Sequence, residues 1–147
     1  MDDKNDLEKQ RAIFAFQRIE NFINNSSNDE KKQKKYRAYI RNTPSMILNN
    51  GLGATIAFMF SKRLKSEGVV YNQLAENIYD WLKEEQNCYL IKLKDKSEAK
   101  DKLKELMNEI INLDSQQYRA TTNEILALFG WLKRFADGMI EDKKDGD

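Results

Sequence analysis

Residues 115–140 read SQQYRATTNEILALFGWLKRFADGMI, and this stretch decides the fold class. Tyr118, Ile125, Phe129, Leu132, Ala136 and Met139 recur at intervals of three, four and seven, which stacks them on one face of a helix. Asp114 followed by Gln117 is a capping-box arrangement, so a long C-terminal helix is predicted from Ser115 to about Ile140. Arg119, Asn123, Gly130, Lys133 and Arg134 fall towards another flank. Gly130 costs helix stability relative to alanine, which predicts the close approach of a neighbouring helix there.

Working back from this helix, the same reading yields more helices and little else. Ser97 caps a predicted helix with Leu103, Met107, Ile110 and Leu113 facing inward, supported by an i,i+4 pair from Glu98 to Lys102. Leu74, Ile78, Trp81 and Leu82 mark another from about Tyr71 to Glu85. Between them NCYLIKLKDK, residues 87–96, alternates like a strand, but a lone strand has nothing to pair with, so it is read as extended or partly helical. Ala54 to Phe60, ATIAFMF, is apolar nearly all round and predicts a central helix buried on most sides. The cations of Ser61–Lys65 oppose the negative end of its dipole, and Gly68 stops it.

Upstream, Thr43-Pro44 reads as an N-cap followed by proline at the first helical position, so a helix from Glu30 should break near Asn42 and restart to Asn49. Asn50-Gly51 closes that piece, and Gly53 allows a second backbone to pass close by. The GLG lacks the third glycine of a dinucleotide fingerprint and the Gly-Lys-Ser/Thr of a P-loop, so it is read as a helix-to-helix corner. Tyr36, Tyr39 and Ile40 form the apolar side of the helix from Glu30. A polar loop, NNSSND at residues 24–29, separates it from a first helix capped by Asn5 with Glu8, carrying Leu7, Phe14, Ile19, Phe22 and Ile23 to about Asn24. The expected architecture is all-α: a single compact bundle of about five to seven helices, with a buried central helix and a long C-terminal one. One domain spans 1–147, with polar, disordered ends at 1–4 and 141–147.

Composition narrows the chemistry. The 147 residues contain no histidine, which excludes Ser-His-Asp and Cys-His catalysis and His-ligated zinc. Cys88 is the sole cysteine, so no internal disulfide or thiolate cluster exists; it is read as a small apolar filler. No cofactor is expected. The N-terminus MDDKNDLEK lacks the layout of a signal peptide, and no apolar stretch approaches the roughly 20 residues of a membrane span, so a cytoplasmic protein with no membrane partner is expected.

Charge is distributed less evenly than the net +1 suggests. Residues 1–30 carry seven acids against four bases, residues 66–147 seventeen against twelve, and residues 31–65 nine bases with no acid. Such a segment repels itself unless an anion or acidic neighbour neutralises it. An anionic partner and a solvated lysine-rich face both account for it. Lys34, Arg37 and Arg41, at i, i+3 and i+7, line one flank of their helix, where a backbone phosphate bridges neighbours under the first reading. Asp101, Glu105 and Glu109 form an acidic stripe on the helix that Ser97 caps, read as solvated or as a partner surface before a metal site.

Two stretches carry a family likeness: YRAYIRNTPSMILNNGLGATIAFMFSK, residues 36–62, and YRATTNEILALFGWLKRFADG, residues 118–138. Together they resemble the small helical, Cmr-type subunit of the type III-B CRISPR RNA-silencing effector complex. The resemblance implies a non-catalytic subunit of a guide-RNA-directed ribonucleoprotein in antiviral defence. Its implied partners are the other Cmr subunits, especially the repeated backbone subunit, guide and target RNA, and copies of itself in a head-to-tail stack. Carried over by residue, the nucleic-acid-binding candidates are Arg37, Arg41, Lys62 and Arg63 in the first stretch and Arg119, Lys133 and Arg134 in the second. Lys34 joins them on charge alone, and Asp101, Glu105 and Glu109 are the candidate partner-binding residues. Two other classes stay open: a helical adaptor that binds only protein, and a carboxylate metal-dependent nuclease.

Overall fold

Apolar residues at helical spacing become six helices in the computed structural model, which describes residues 3–66 and 68–141. They are α1 (Asp3–Asn25), α2 (Glu30–Asn50), α3 (Leu52–Lys62), α4 (Gly68–Lys83), α5 (Ala99–Ile111) and α6 (Ser115–Met139), with one 3-10 turn at Glu85–Asn87. No strand occurs among the described residues. Residues 1, 2 and 142–147, most of the two ends expected to be disordered, lie outside them. α1 already includes Asp3, ahead of the cap expected at Asn5.

The polar loop folds α2 back against α1. Asp29 caps α2 by accepting from the Lys32 N–H at 2.9 Å, Gln33 donates to the Ser26 carbonyl at 2.8 Å, and Phe22 stacks on Tyr36 with ring centroids 3.8 Å apart. α2 then runs through Pro44 without the expected break. Proline has no N–H for the Ile40 carbonyl and costs a helix interior roughly 3 kcal/mol. Stopping at Asn42 would pull Thr43 and Ile47 off the side they share with Ile40, and all three are buried. Burying Ile47 alone is worth about 1.5–3 kcal/mol, and the following turn adds its own hydrogen bonds. Packing therefore overrides the local signal.

The chain does turn at Gly51, whose φ of +93° is a conformation that side-chain-bearing residues avoid. The neighbour expected at Gly53 is a phenol and not a backbone: the Gly53 N–H donates to the Tyr118 hydroxyl at 2.7 Å. This bond pins the first turn of α6 to the α2–α3 corner. Asp114 caps α6 as expected, accepting from the Gln117 N–H at 2.8 Å.

The helix buried on most sides is α4 rather than α3. Ala54 and Ala57 of α3 are exposed, whereas Val70, Tyr71, Leu74, Ala75, Asn77, Ile78, Tyr79, Trp81 and Leu82 of α4 are all buried. Its polar atoms find partners inside: Asn77 donates to the Tyr36 hydroxyl at 2.6 Å, and the Trp81 indole N–H donates to Glu124 at 3.0 Å. Gly68 opens this helix and does not end the previous one, which stops at Lys62. A methyl on Gly68 would stand 2.4 Å from the Arg63 carbonyl oxygen.

The stretch begins in the 3-10 turn at Asn87, residues 91–97 form neither helix nor strand, and side chains replace the missing strand partner. Lys94 N–H donates to Glu105 at 2.8 Å, Lys96 N–H to the Tyr79 hydroxyl at 2.9 Å, and Lys83 to the Leu93 carbonyl at 3.1 Å. Leu90, Ile91 and Leu93 are buried beneath, while Cys88 is exposed and fills no core space. α5 is capped at Glu98, not Ser97. Lys102 turns from Glu98 to Asp80 at 2.9 Å and Glu76 at 3.3 Å, tying α5 to α4.

The bundle closes on a carboxylate. Glu124, 6% exposed, accepts two 2.7 Å hydrogen bonds from Arg11 besides the one from Trp81, joining α6 to α1 and α4. Arg11 meets Glu124 and Phe16 meets Phe135, so α1 and α6 run in the same direction.

Removing one partner of a buried pair strands the other, so Glu124→Ala should lower unfolding free energy by about 3–5 kcal/mol. The double variant Arg11→Met with Glu124→Leu should recover all but the roughly 1–3 kcal/mol of an orphaned Trp81 N–H. Urea unfolding measures both. Gly68→Ala should also destabilise, by about 1–3 kcal/mol, although alanine is the better helix former, because the obstacle is backbone. An unchanged urea midpoint would refute the close approach.

Candidate nucleic-acid interface

α6 packs antiparallel to α2: its first turn meets the end of α2 through Tyr118, and its last turn, Met139, lies by Glu30 and Gln33. This register brings Asp137 to the α2 flank that carries Lys34, Arg37 and Arg41. Arg37 Nε donates to Asp137 Oδ1 at 3.2 Å, and Arg41 Nη2 donates to the same oxygen at 2.8 Å. The Arg41 hydrogen bond, foremost, holds the Asp137 carboxyl below the usual carboxylate range against the opposing effect of burial. The clamp therefore stabilises above that range and is lost only as pH falls through the lowered value.

Lys133 and Arg134 precede Asp137 by one helical turn and are exposed. The Arg134 guanidinium lies 4.9 Å from the Trp131 ring centroid. Arg37 and Arg41 thus lie where α2 and α6 meet, with Lys133 exposed one turn before Asp137 and Lys34 one turn before Arg37, whereas Arg134 lies over Trp131, whose indole N–H donates to Glu8 of α1 at 3.3 Å. The structure sets the other candidates elsewhere. Arg119 is exposed at the start of α6, about 21 Å along the axis from Lys133, beside an open cleft with Leu113, Tyr118 and Thr122.

Lys62 and Arg63 sit beyond the opposite flank of α2. Tyr39 of α2 stacks on Tyr71 of α4 at 4.3 Å, Phe58 meets Tyr71 edge-on, and the Lys62 ammonium lies 5.5 Å from the Phe58 centroid. The Arg63 guanidinium lies 4.2 Å from Phe60, and the Arg63 carbonyl accepts from Asn72 at 3.2 Å. The eight candidate cations therefore fall into separate groups.

Two expectations on the surface need correction. Gly130 has nothing within 4 Å of an added Cβ, so no helix approaches it and the outer face of α6 is open there. The acidic stripe is interrupted: Glu105 is 7% exposed, with its carboxylate engaged by the Lys94 N–H, while Asp101 is exposed and Glu109 half-buried. No three cysteine or acidic side chains converge as a metal-ligand group among the described residues. No helix among them is long and apolar enough to cross a membrane.

Sequence reasoning missed Asp137, the hub of the cationic group. Its one visible signal is its position one turn after Lys133-Arg134; its partners on α2 are 96 and 100 residues away.

The features that define this surface, from the apolar face of α1 through the Gly51 corner to the last turn of α6, fall within one match. Residues 7–139 fit the family described as CRISPR-associated protein (Cas_Cmr5), and the chain belongs to that family, the small subunit of the type III-B CRISPR effector, the Cmr complex.

Proposed function

We propose that this Cmr subunit is non-catalytic and lends phosphate contacts to the channel that holds guide and target RNA, beside the repeated backbone subunit. The observation that carries this reading is the clamp of Arg37 and Arg41 of α2 on Asp137 of α6, with Lys133 exposed one helical turn before that acid. Phosphate contacts supply affinity and register without reading sequence, which suits a complex whose specificity is carried by base pairing. Asp137 holds the two guanidiniums in place and is the competitor that an RNA phosphate displaces. Arg119, Lys62 and Arg63 extend the contact beyond this group. Copies stack head to tail in the cytoplasmic complex, with Asp101 and Glu109 as the acidic surface available to a neighbour's cations.

One observation favours a second reading, an adaptor that touches only protein. Both arginines are engaged by Asp137 within the chain, so the clamp has a structural use in tying α2 to α6.

In the reconstituted complex, RNA retention should fall with salt, and Arg37→Gln with Arg41→Gln should flatten the log–log slope by ~1.4, about 0.7 per phosphate contact. Asp137→Asn should raise RNA affinity at fixed salt by freeing both guanidiniums. Filter binding across a salt series measures all three. An adaptor predicts no change of slope in either variant, with assembly defects instead.

A further inference from the structure

Residues 91–97, between the 3-10 turn and α5, are held in a different way from the rest of the bundle. Each helix carries its own backbone hydrogen bonds, but none of these seven residues makes a backbone–backbone hydrogen bond among the described residues. No proline stiffens the segment either. Its tethers are three side chains of α4 and α5. The Tyr79 hydroxyl donates to the Lys94 carbonyl and accepts from the Lys96 N–H at 2.9 Å. Glu105 accepts from the Lys94 N–H at 2.8 Å, and Lys83 donates to the Leu93 carbonyl at 3.1 Å while pairing with Asp95. Ile91 and Leu93 are buried, whereas Lys92 and residues 94–97 are exposed.

The two ends of the segment are anchored apart from it. Asn87 donates to the Trp81 carbonyl at 2.8 Å and its own carbonyl accepts from the Leu90 N–H at 2.9 Å; at the other end the Glu98 carbonyl accepts from the Lys102 N–H at 2.9 Å. α4 and α5 also hold each other without its help. Lys102 meets Asp80 at 2.9 Å and Glu76 at 3.3 Å, and Leu103, Leu106 and Ile110 are buried in the core that α4 shares. What keeps the segment down is a small difference between opposing effects. Each ordered residue loses backbone entropy, and two apolar side chains offset that loss. Closure also takes the Glu105 carboxylate out of water for the hydrogen bond from Lys94. Segments with few buried apolar contacts and no backbone ladder lie at the low end of local stability.

We infer that residues 91–97 are a latch with the Tyr79 hydroxyl as its pin, opening as one unit while the six helices stay folded. The open form exposes Tyr79, Glu105 and the surface that Ile91 and Leu93 cover, a site between α4 and α5 that closure hides. None of these residues belongs to the Asp137 clamp, so the latch stands or falls apart from the RNA reading.

Native-state hydrogen exchange of the full chain, followed by NMR over a series of sub-denaturing urea concentrations, tests it. The Lys94 and Lys96 amides should share one opening free energy, lower than that of Leu106 and Leu128 and nearly independent of urea. Glu124→Ala, which loosens the bundle at a distance from the latch, should speed exchange at Leu128 and leave Lys94 unchanged. Tyr79→Phe should speed exchange at Lys94 about tenfold, although the bond of that amide to Glu105 is untouched, and should raise tryptic cleavage after Lys92, Lys94 and Lys96 by the same factor. A Lys94 amide with the urea dependence of Leu128, or one that follows it in Glu124→Ala, would make the segment part of the global unfolding unit and overturn the latch. So would a Lys94 amide with no protection, or one indifferent to Tyr79→Phe.

Discussion

Glu124 accepts two hydrogen bonds from Arg11 and one from Trp81 in a space from which water is largely excluded. A buried carboxylate is expensive unless all its lone pairs are used, so the arrangement tolerates little displacement of α1, α4 or α6. With Tyr118 fixed on Gly53 at one end of α6, the helix has a set direction and depth against α1 and α2. Where α6 lies determines where Asp137 lies, and Asp137 decides which arginines of α2 are held against α6. The cationic group is thus a consequence of a polar contact on a different side of the same helix.

The helices were legible because their apolar faces repeat at helical spacing: Phe129, Leu132 and Ala136 are buried where the pattern puts them. Errors arose where burial comes with a polar handle or a distant partner. α4 is the most enclosed helix, yet Tyr71, Asn77, Tyr79 and Trp81 carry polar atoms whose partners belong to other segments, so its apolar pattern understates its burial. At Pro44 the local penalty was read correctly and was outweighed by the buried row Ile40, Thr43 and Ile47. Gly68 reads in the sequence as a helix stop, whereas it opens α4 and leaves room for the Arg63 carbonyl, a neighbour that only the folded chain supplies.

The surface was legible as charge and illegible as pairing. Counting residues found the acid-free segment, and helical spacing placed Lys34, Arg37 and Arg41 on one flank. Neither operation can show that Asp137 lies opposite two of them, or that Glu105 serves a backbone amide while Asp101 stays exposed. Both carboxylates look like ordinary exposed acids in a helical pattern. What distinguishes them is a partner brought in by tertiary folding, 96 residues away for Asp137 and 11 for Glu105.

The fold's handling of the nine cations in residues 31–65 is itself informative. Arg37 and Arg41 share one carboxylate, while Lys32, Lys62 and Arg63 lie over the rings of Phe22, Phe58 and Phe60. A ring face attracts a cation by roughly 0.5–1 kcal/mol at an exposed site but carries no net charge, so it orients these side chains without neutralising them. At physiological ionic strength the Debye length is about 8 Å, so salt screens cations on opposite flanks of α2 from one another. Within one helical turn it screens much less, and Lys31, Lys32 and Lys35 repel at that range. The fold places carboxylates against Arg11, Arg18 and Lys102, where they join helices, and Asp137 between the two arginines of α2. Among the described residues no ion pair joins Lys31, Lys32 or Lys35, whereas Arg11, Arg18 and Lys102 each meet a carboxylate of another helix.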